Sequence, residues 1–165
     1  MGLEEQFTRL IQENSGIIHK VILLYVDDEQ ERDDLYQEIL LQSWKSYNSF
    51  RRDSKFSTWL YRVSLNTVFT YNRKVSRRLE TSPFEELEYK SASSYDTEEK
   101  HDQKNQLLFL IKKLDEVDRM IISLHLDGFS NKEIAEITGL TANNAGVKLH
   151  RIKERLIAQM RGEEE

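Results

Sequence analysis

Apolar side chains in this chain recur every three or four residues, the spacing of one face of an α-helix, and no stretch shows the strict alternation of a half-buried strand. Leu3 to Val26 reads as helical with a break at Asn14-Ser15-Gly16, because Asn and Gly favour turns over helix interiors. Asp27-Asp28-Glu29 then offers acidic residues suited to a helix N-terminus, where the backbone dipole is positive. The helix that follows is expected to reach about Tyr47, with Leu35, Ile39, Leu40, Trp44 and Tyr47 on one broad face. Asn48 to Ser54 is a polar loop holding Phe50. A third helix, starting near Ser54 or Ser57, is predicted to run to about Arg78, with Phe56, Trp59, Leu60, Val63 and Tyr71 as its apolar positions.

From 79 to 102 the pattern is lost. Thr81-Ser82-Pro83 and Ser91-Ala92-Ser93-Ser94 sit in a strongly acidic stretch that reads as a linker. Helical spacing resumes near Gln103 with Leu107, Leu108, Ile111 and Leu114. Short helices are predicted at about 116–126, 130–138 and 141–160, punctuated by Gly128 and Gly139. The reading is therefore all-α: two small helical domains, 1–79 and 103–165, joined by an acidic linker over 80–102. Units of this size bury modest cores, so each is expected to be helix-rich and only marginally stable alone.

Composition removes several function classes. The chain has no cysteine, so disulfides and thiolate metal sites are excluded. Its four histidines (His19, His101, His125 and His150) lack ligand spacing, and no nucleophile set or Gly-rich phosphate loop is present. No catalytic residue, metal or cofactor is expected. No apolar run approaches the roughly 20 residues that span a bilayer, and Met1-Gly2-Leu3-Glu4-Glu5 lacks the basic start of a signal peptide. The expected location is the cytoplasm, without membrane insertion.

A net charge of -5 argues at first against nucleic acid, since phosphate contacts need cations. The distribution reverses that inference. Residues 1–50 hold 4 Lys/Arg against 10 Asp/Glu, residues 51–79 hold 8 against 1, residues 80–102 hold 2 against 8, and 103–165 hold 10 of each. Within the last block, Lys148 to Arg161 carries five cations and one anion, Glu154. Two basic islands in an acidic background point to local polyanion contact with general DNA binding held down.

The C-terminal island sits on a helix-turn-helix pattern. Ile134 and Ala135 lie on a short helix, Gly139 permits the left-handed backbone of a tight turn, and Thr141 is a candidate N-cap. In the second helix Ala145, Leu149, Ile152 and Leu156 form one apolar stripe, while Asn144, Lys148, Arg151 and Arg155 repeat at the same intervals on another face. Asn pairs bidentately with adenine; Lys and Arg reach guanine acceptors or backbone oxygens. Asn143 and Asn144 lie at the end of the helix that enters the major groove in this motif. An amphipathic helix with a solvated basic face has the same pattern. Gly146 costs about 1 kcal/mol relative to Ala inside a helix; close approach to a DNA backbone and drift both account for it.

The other island interleaves rings and cations from Phe50 to Arg78, as single-stranded DNA binding requires: rings offer stacking faces and cations track phosphates. Asn66, Ser57 and Thr58 are candidates to hold the edge of an unstacked base. Arg73, Lys74, Arg77 and Arg78 are candidates for strand or duplex phosphates. Phe56 and Trp59 also fit an ordinary core face.

The run Asp33-Asp34-Leu35-Tyr36-Gln37-Glu38-Ile39-Leu40-Leu41-Gln42-Ser43-Trp44, then Phe50 to Asn66, resembles the second conserved region of the extracytoplasmic-function (group IV) sigma factors of bacterial RNA polymerase. That pattern is an acidic pair, a Gln-Glu, a Trp at the helix end, then Phe-Arg, Phe-x-x-Trp-Leu-Tyr-Arg and an Asn. Residues 103–160 resemble the fourth region, Leu149-His150-Arg151 included. The resemblance implies that Asp34, Gln37, Glu38, Leu41 and Trp44 dock on the polymerase clamp, with the flap as a further contact. It implies that the loop from Phe50 through Arg51, Ser54 and Lys55 to Phe56 holds a flipped base of the melted -10 strand, beside Asn66. Trp59, Arg62, Arg73, Lys74 and Arg77 extend that candidate set. Asn143, Asn144, Val147, Lys148 and Arg151 would read the -35 duplex, with Arg155 on the same basic face. Gly146 and Val147 depart from the polar or basic residues common there, so the resemblance does not supply the -35 sequence.

The implied function is promoter recognition: two weak contacts, held together by core polymerase, act as one selective contact through effective concentration. An anti-sigma partner accords with the family, the free chain is expected to be a monomer, and the short stretch before the second region leaves no room there for a sensing domain. Two other classes compete. A conventional helix-turn-helix regulator, with an N-terminal sensing or dimerisation lobe, predicts a palindromic site bound without polymerase. A helical adaptor predicts no DNA contact.

Overall fold

The computed structural model describes residues 2–50, 52–81 and 103–162, with backbone alone for 78–81. The chain divides into two compact units, residues 1–96 and 97–165. Every regular element among the described residues is helical, and no helix among them is long and apolar enough to cross a membrane. The linker expected at 80–102 lies, beyond Thr81, outside the described residues.

In the first unit, α1 (Leu3–Glu13) and α2 (Ser15–Tyr25) meet at one residue, Asn14. Its Nδ2 donates to the Leu10 carbonyl at 2.8 Å, which closes α1 with a side chain. Gly16, expected to share in the break, lies inside α2 with no positive φ, so the interruption belongs to Asn14. Asp28 caps α3 (Glu29–Ser46), its Oδ1 accepting from the Gln30 and Glu31 backbone N–H groups at 2.9 and 3.0 Å. A 3-10 turn at Tyr47–Ser49 ends α3, and α4 runs from Phe56 to Thr81. Helices α2, α3 and α4 pack on one another around Ile18, Val21, Leu35, Ile39, Leu60 and Val68, each at most 2% exposed.

On α4 the core face is rotated from the expected one. Leu60, Tyr61, Leu65 and Val68 are buried, whereas Trp59, Val63 and Tyr71 are half-buried. Residue type does not mark the face: the ring of Tyr61 turns inwards, while those of Trp59 and Tyr71 flank the buried stripe. Ser43 and Ser64 are wholly buried, and neither hydroxyl has a hydrogen-bond partner among the described residues. An unpaired buried hydroxyl costs about 1–3 kcal/mol, and Ala is the better helix former. Ser43→Ala is therefore expected to raise unfolding stability by about 1 kcal/mol in urea denaturation; a loss of stability would show that the hydroxyl is satisfied.

The second unit comprises α5 (Gln103–Lys112), α6 (Glu116–Leu126), α7 (Asn131–Thr138) and α8 (Ala142–Met160). Helices α6, α7 and α8 pack mutually, and α5 lies against α6 and α8. Ser130 and Glu133 form a reciprocal capping box on α7, with bonds of 3.2 Å each way. Gly139 closes α7 with φ of +79°, which a side chain rarely tolerates. Thr141 then caps α8, its Oγ1 accepting from the Asn144 backbone N–H at 3.1 Å. Ala145, Leu149, Ile152 and Leu156 are buried as the periodicity predicts. In α5, Ile111 and the following Leu114 are buried while Leu107 and Leu108 are half-buried.

Candidate nucleic-acid and polymerase interface

Six rings of the first unit form one connected cluster. Tyr47, buried at the end of α3, lies 5.1 Å from Phe7, 6.3 Å from Phe50, 6.5 Å from Phe56 and 6.2 Å from Trp59 between ring centroids. Phe7 also meets Trp44 edge-on at 5.1 Å. Phe50, Phe56 and Trp59 close a triangle of 5.7, 5.3 and 5.3 Å. Burial separates their roles. Phe56 is buried among the others, while Phe50 and Trp59 stay half-buried at the open side of the triangle. Arg52, Lys55 and Arg62 are exposed, as Ser54 is in part. Arg51 lies outside the described residues.

On α3, Asp34, Gln37 and Glu38 are exposed, as are the apolar Leu41 and Trp44 at 45% and 41%. Asn66 and Lys74 of α4 come together with Asp34 and Glu38 of α3. A groove of about 470 Å³ between α3 and α4 is lined by these four with Gln42 and Tyr71. Gln42 Nε2 donates to Glu38 Oε1 at 2.9 Å. Of the polar residues expected beside a base, Thr58 is buried and Ser57 half-buried, which leaves Asn66 as the exposed one. Arg73 and Arg77 are exposed further along α4; the side chain of Arg78 lies outside the described residues.

Desolvation pushes the Tyr71 phenol up to about 12, helped by the charge of Glu31, a hydrogen bond to it, and the charges of Asp34 and Asp28. Burial alone takes Tyr61 to about 12. In spectrophotometric titration Tyr61 and Tyr71 are therefore expected to ionise late, near pH 12. Glu31→Gln should bring one of them down, and a titration unchanged by it would remove that contact. The folded chain keeps protons that the unfolded chain releases near pH 10, so this contribution to stability is complete below pH 10 and lost as pH rises towards 12.

In the second unit, Asn143, Asn144, Val147, Lys148, Arg151 and Arg155 are all exposed on α8. The structure divides them. Asn143, Val147 and Arg151 line a shallow groove of about 390 Å³ with Asn131 of α7 and His150. Lys148 and Arg155 instead act on Asp118 at the start of α6: burial and the neighbouring Asp115 hold its carboxyl above the usual range, and these two cations pull it down. His150 pairs with Glu154 at 3.2 Å across one turn.

Residues 10–78 match the family model of sigma-70 region 2, and residues 104–156 match that of sigma-70 region 4. Together the two matches span most of the chain. It belongs to the extracytoplasmic-function sigma factors. Among similar proteins, the ECF RNA polymerase sigma-E factor of Escherichia coli (strain K12) is 29% identical over 164 residues, covering 93% of this chain and 85% of that one. The Haemophilus influenzae sigma-E factor is 27% identical over 167 residues, covering 93% and 86%. The sigma factor RpoE of Bartonella quintana, solved in complex with the anti-sigma factor NepR, shares the fold with a TM-score of 0.76 at 19% identity, over 98% of this chain and 99% of that one.

This sigma factor is thus a promoter-recognition subunit of RNA polymerase, and sigma factors are not enzymes. The family match sets aside the conventional regulator and the adaptor. Three features escaped the sequence reading. Phe7 joins the ring cluster from α1, some forty positions from its partners, and no local pattern signals that. Asn131 and His150 join the α8 groove; the place of His150 one turn from Val147 and two turns from Asn143 was the available signal.

Proposed function

We propose that the two units divide promoter recognition between them: residues 1–79 bind core polymerase and the melted -10 strand, residues 103–165 read the -35 duplex, and 80–102 tether them. The α3 face of Asp34, Gln37, Glu38, Leu41 and Trp44 docks on the clamp; exposed apolar side chains among carboxylates suit a protein partner better than DNA. The observation that carries the -10 assignment is the pair Phe50 and Trp59, 5.3 Å apart and half-buried, with Lys55 and Arg62 exposed beside them on α4 and its approach. Rings held from below by a packed cluster present stacking faces to unpaired bases, and the cations follow the strand. Asn66 holds the edge of a flipped base from the groove, with Lys74 and the exposed Arg73 and Arg77 towards phosphates. On α8, Asn143, Val147 and Arg151 face the -35 bases, with the exposed Asn144 beside them at the start of the helix, while Lys148 and Arg155 lie towards the flanking backbone.

The chain works in the cytoplasm, as a monomer until it joins the polymerase. Because a relative was solved with an anti-sigma factor, a protein that covers these faces is proposed as its inhibitor. Run-off transcription with core polymerase over a genomic promoter pool tests the reading: core-dependent initiation at discrete start sites is expected, and nanomolar duplex binding by the chain alone in physiological salt would contradict it. Asn66→Ala is expected to leave closed complexes intact and to reduce permanganate reactivity of the -10 region. Normal opening in that footprint would remove Asn66 from the role.

A further inference from the structure

Gly146 is the odd residue of α8. Glycine is a poor helix former and here adopts ordinary helical backbone, without the positive φ that requires it elsewhere in this chain. The structure supplies a reason from the neighbouring helix. A Cβ built at 146 would lie 3.1 Å from Nδ2 of Asn131 and 3.9 Å from its Cγ. The space a side chain would take on the outer part of α8 is therefore occupied by the carboxamide of Asn131.

That carboxamide is well placed to act. Asn131 is the first residue of α7, directly after Ser130, and the reciprocal Ser130–Glu133 capping box fixes its backbone. Its side chain is exposed and lines the same groove as Asn143, Val147 and Arg151. It thus stands among the side chains assigned to the upstream duplex, at the place where residue 146 contributes nothing. A carboxamide offers one donor and one acceptor side by side, the pattern that matches the N6 and N7 edge of adenine.

We propose that Asn131 is a specificity-determining residue of this sigma factor, reading an adenine edge in the upstream promoter duplex from α7 through the gap left by Gly146. The proposal rests on the reading of α8 as the helix that enters that duplex. It gives α7 a share in base selection and makes Gly146 a positioning residue that acts through Asn131.

The test is selection of upstream elements from a randomised pool by polymerase holoenzyme carrying wild-type chain, Asn131→Ala, Gly146→Ala or Arg151→Ala, each with its thermal midpoint measured. The wild type is expected to prefer adenine at one position, and Asn131→Ala to relax that position about tenfold while leaving the others unchanged. Gly146→Ala keeps the carboxamide but presses a methyl group against it, so it should disturb the same position and no other, with the fold intact. A profile unchanged by Asn131→Ala but altered by Arg151→Ala would overturn this assignment and leave the reading of α8 standing; profiles unchanged by both would overturn both. Uniform weakening over all sequences, with a reduced salt dependence, would make Asn131 a phosphate contact and likewise overturn base readout.

Discussion

Tyr47→Ala is expected to destabilise the first unit by about 3–5 kcal/mol, the range for removing a large ring from a packed interior. The ring is 8% exposed and has ring partners from α1, from the loop after α3 and from the start of α4. Its loss would leave a cavity that three separate segments must close. Against total stabilities of about 5–15 kcal/mol, a change of this size removes much of what holds a small domain together. The measurement is selective by the chain's own composition. Both tryptophans, Trp44 and Trp59, belong to this cluster, so fluorescence-detected urea unfolding reports the first unit alone. Tyr47→Phe should stay within about 1 kcal/mol of wild type, since the ring contacts survive. A loss below about 1 kcal/mol for Tyr47→Ala would mean that the cluster is not the core of this end of the unit.

The same variant separates packing from DNA contact. Phe50 and Trp59 rest on Tyr47, so their stacking faces lose support when it is removed. Promoter opening is expected to fail in Tyr47→Ala even at temperatures where the unit remains folded. The rings proposed to touch bases and the ring that holds them are therefore different residues, although all are aromatic and lie within thirteen positions of one another.

That distinction marks what a sequence can and cannot convey. The stripe Ala145, Leu149, Ile152 and Leu156 was legible because a helix with one buried side repeats its apolar residues at a strict interval, and the Gly139–Thr141 turn has its own chemistry. Promoter recognition was legible because two motif-bearing segments occur in order. The face of α4 was not, because residue type does not encode rotation: Tyr61, Leu65 and Val68 turn inwards while Trp59 and Tyr71 flank them. Nor could local spacing join Phe7 to Tyr47, bring Asn66 to Asp34, or place Asn131 over Gly146, since each depends on how separate helices pack.

The basic face of α8 yields the second large effect, because residues equivalent in spacing prove unequal in surroundings. Arg151→Ala is expected to reduce transcription from a cognate promoter about ten- to hundredfold, the worth of one well-placed bidentate contact to a base edge. Arg155→Ala is expected to reduce it no more than about fivefold, as an exposed cation near a carboxylate and outside the groove contributes little. The contrast follows from position: Arg151 lines the groove with Asn143 and Val147, whereas Arg155 and Lys148 lie within electrostatic reach of Asp118 on α6. Run-off transcription at two salt concentrations divides the contact types. If Arg151 reads a base, its loss relaxes one position of the upstream element and leaves the salt dependence nearly unchanged. If it neutralises a phosphate, all sequences weaken alike and the salt slope falls by about one. Equal losses for Arg151→Ala and Arg155→Ala would mean that charge density along α8, and not its orientation over α6 and α7, governs upstream recognition, and the division of this face by its neighbours would have no functional meaning.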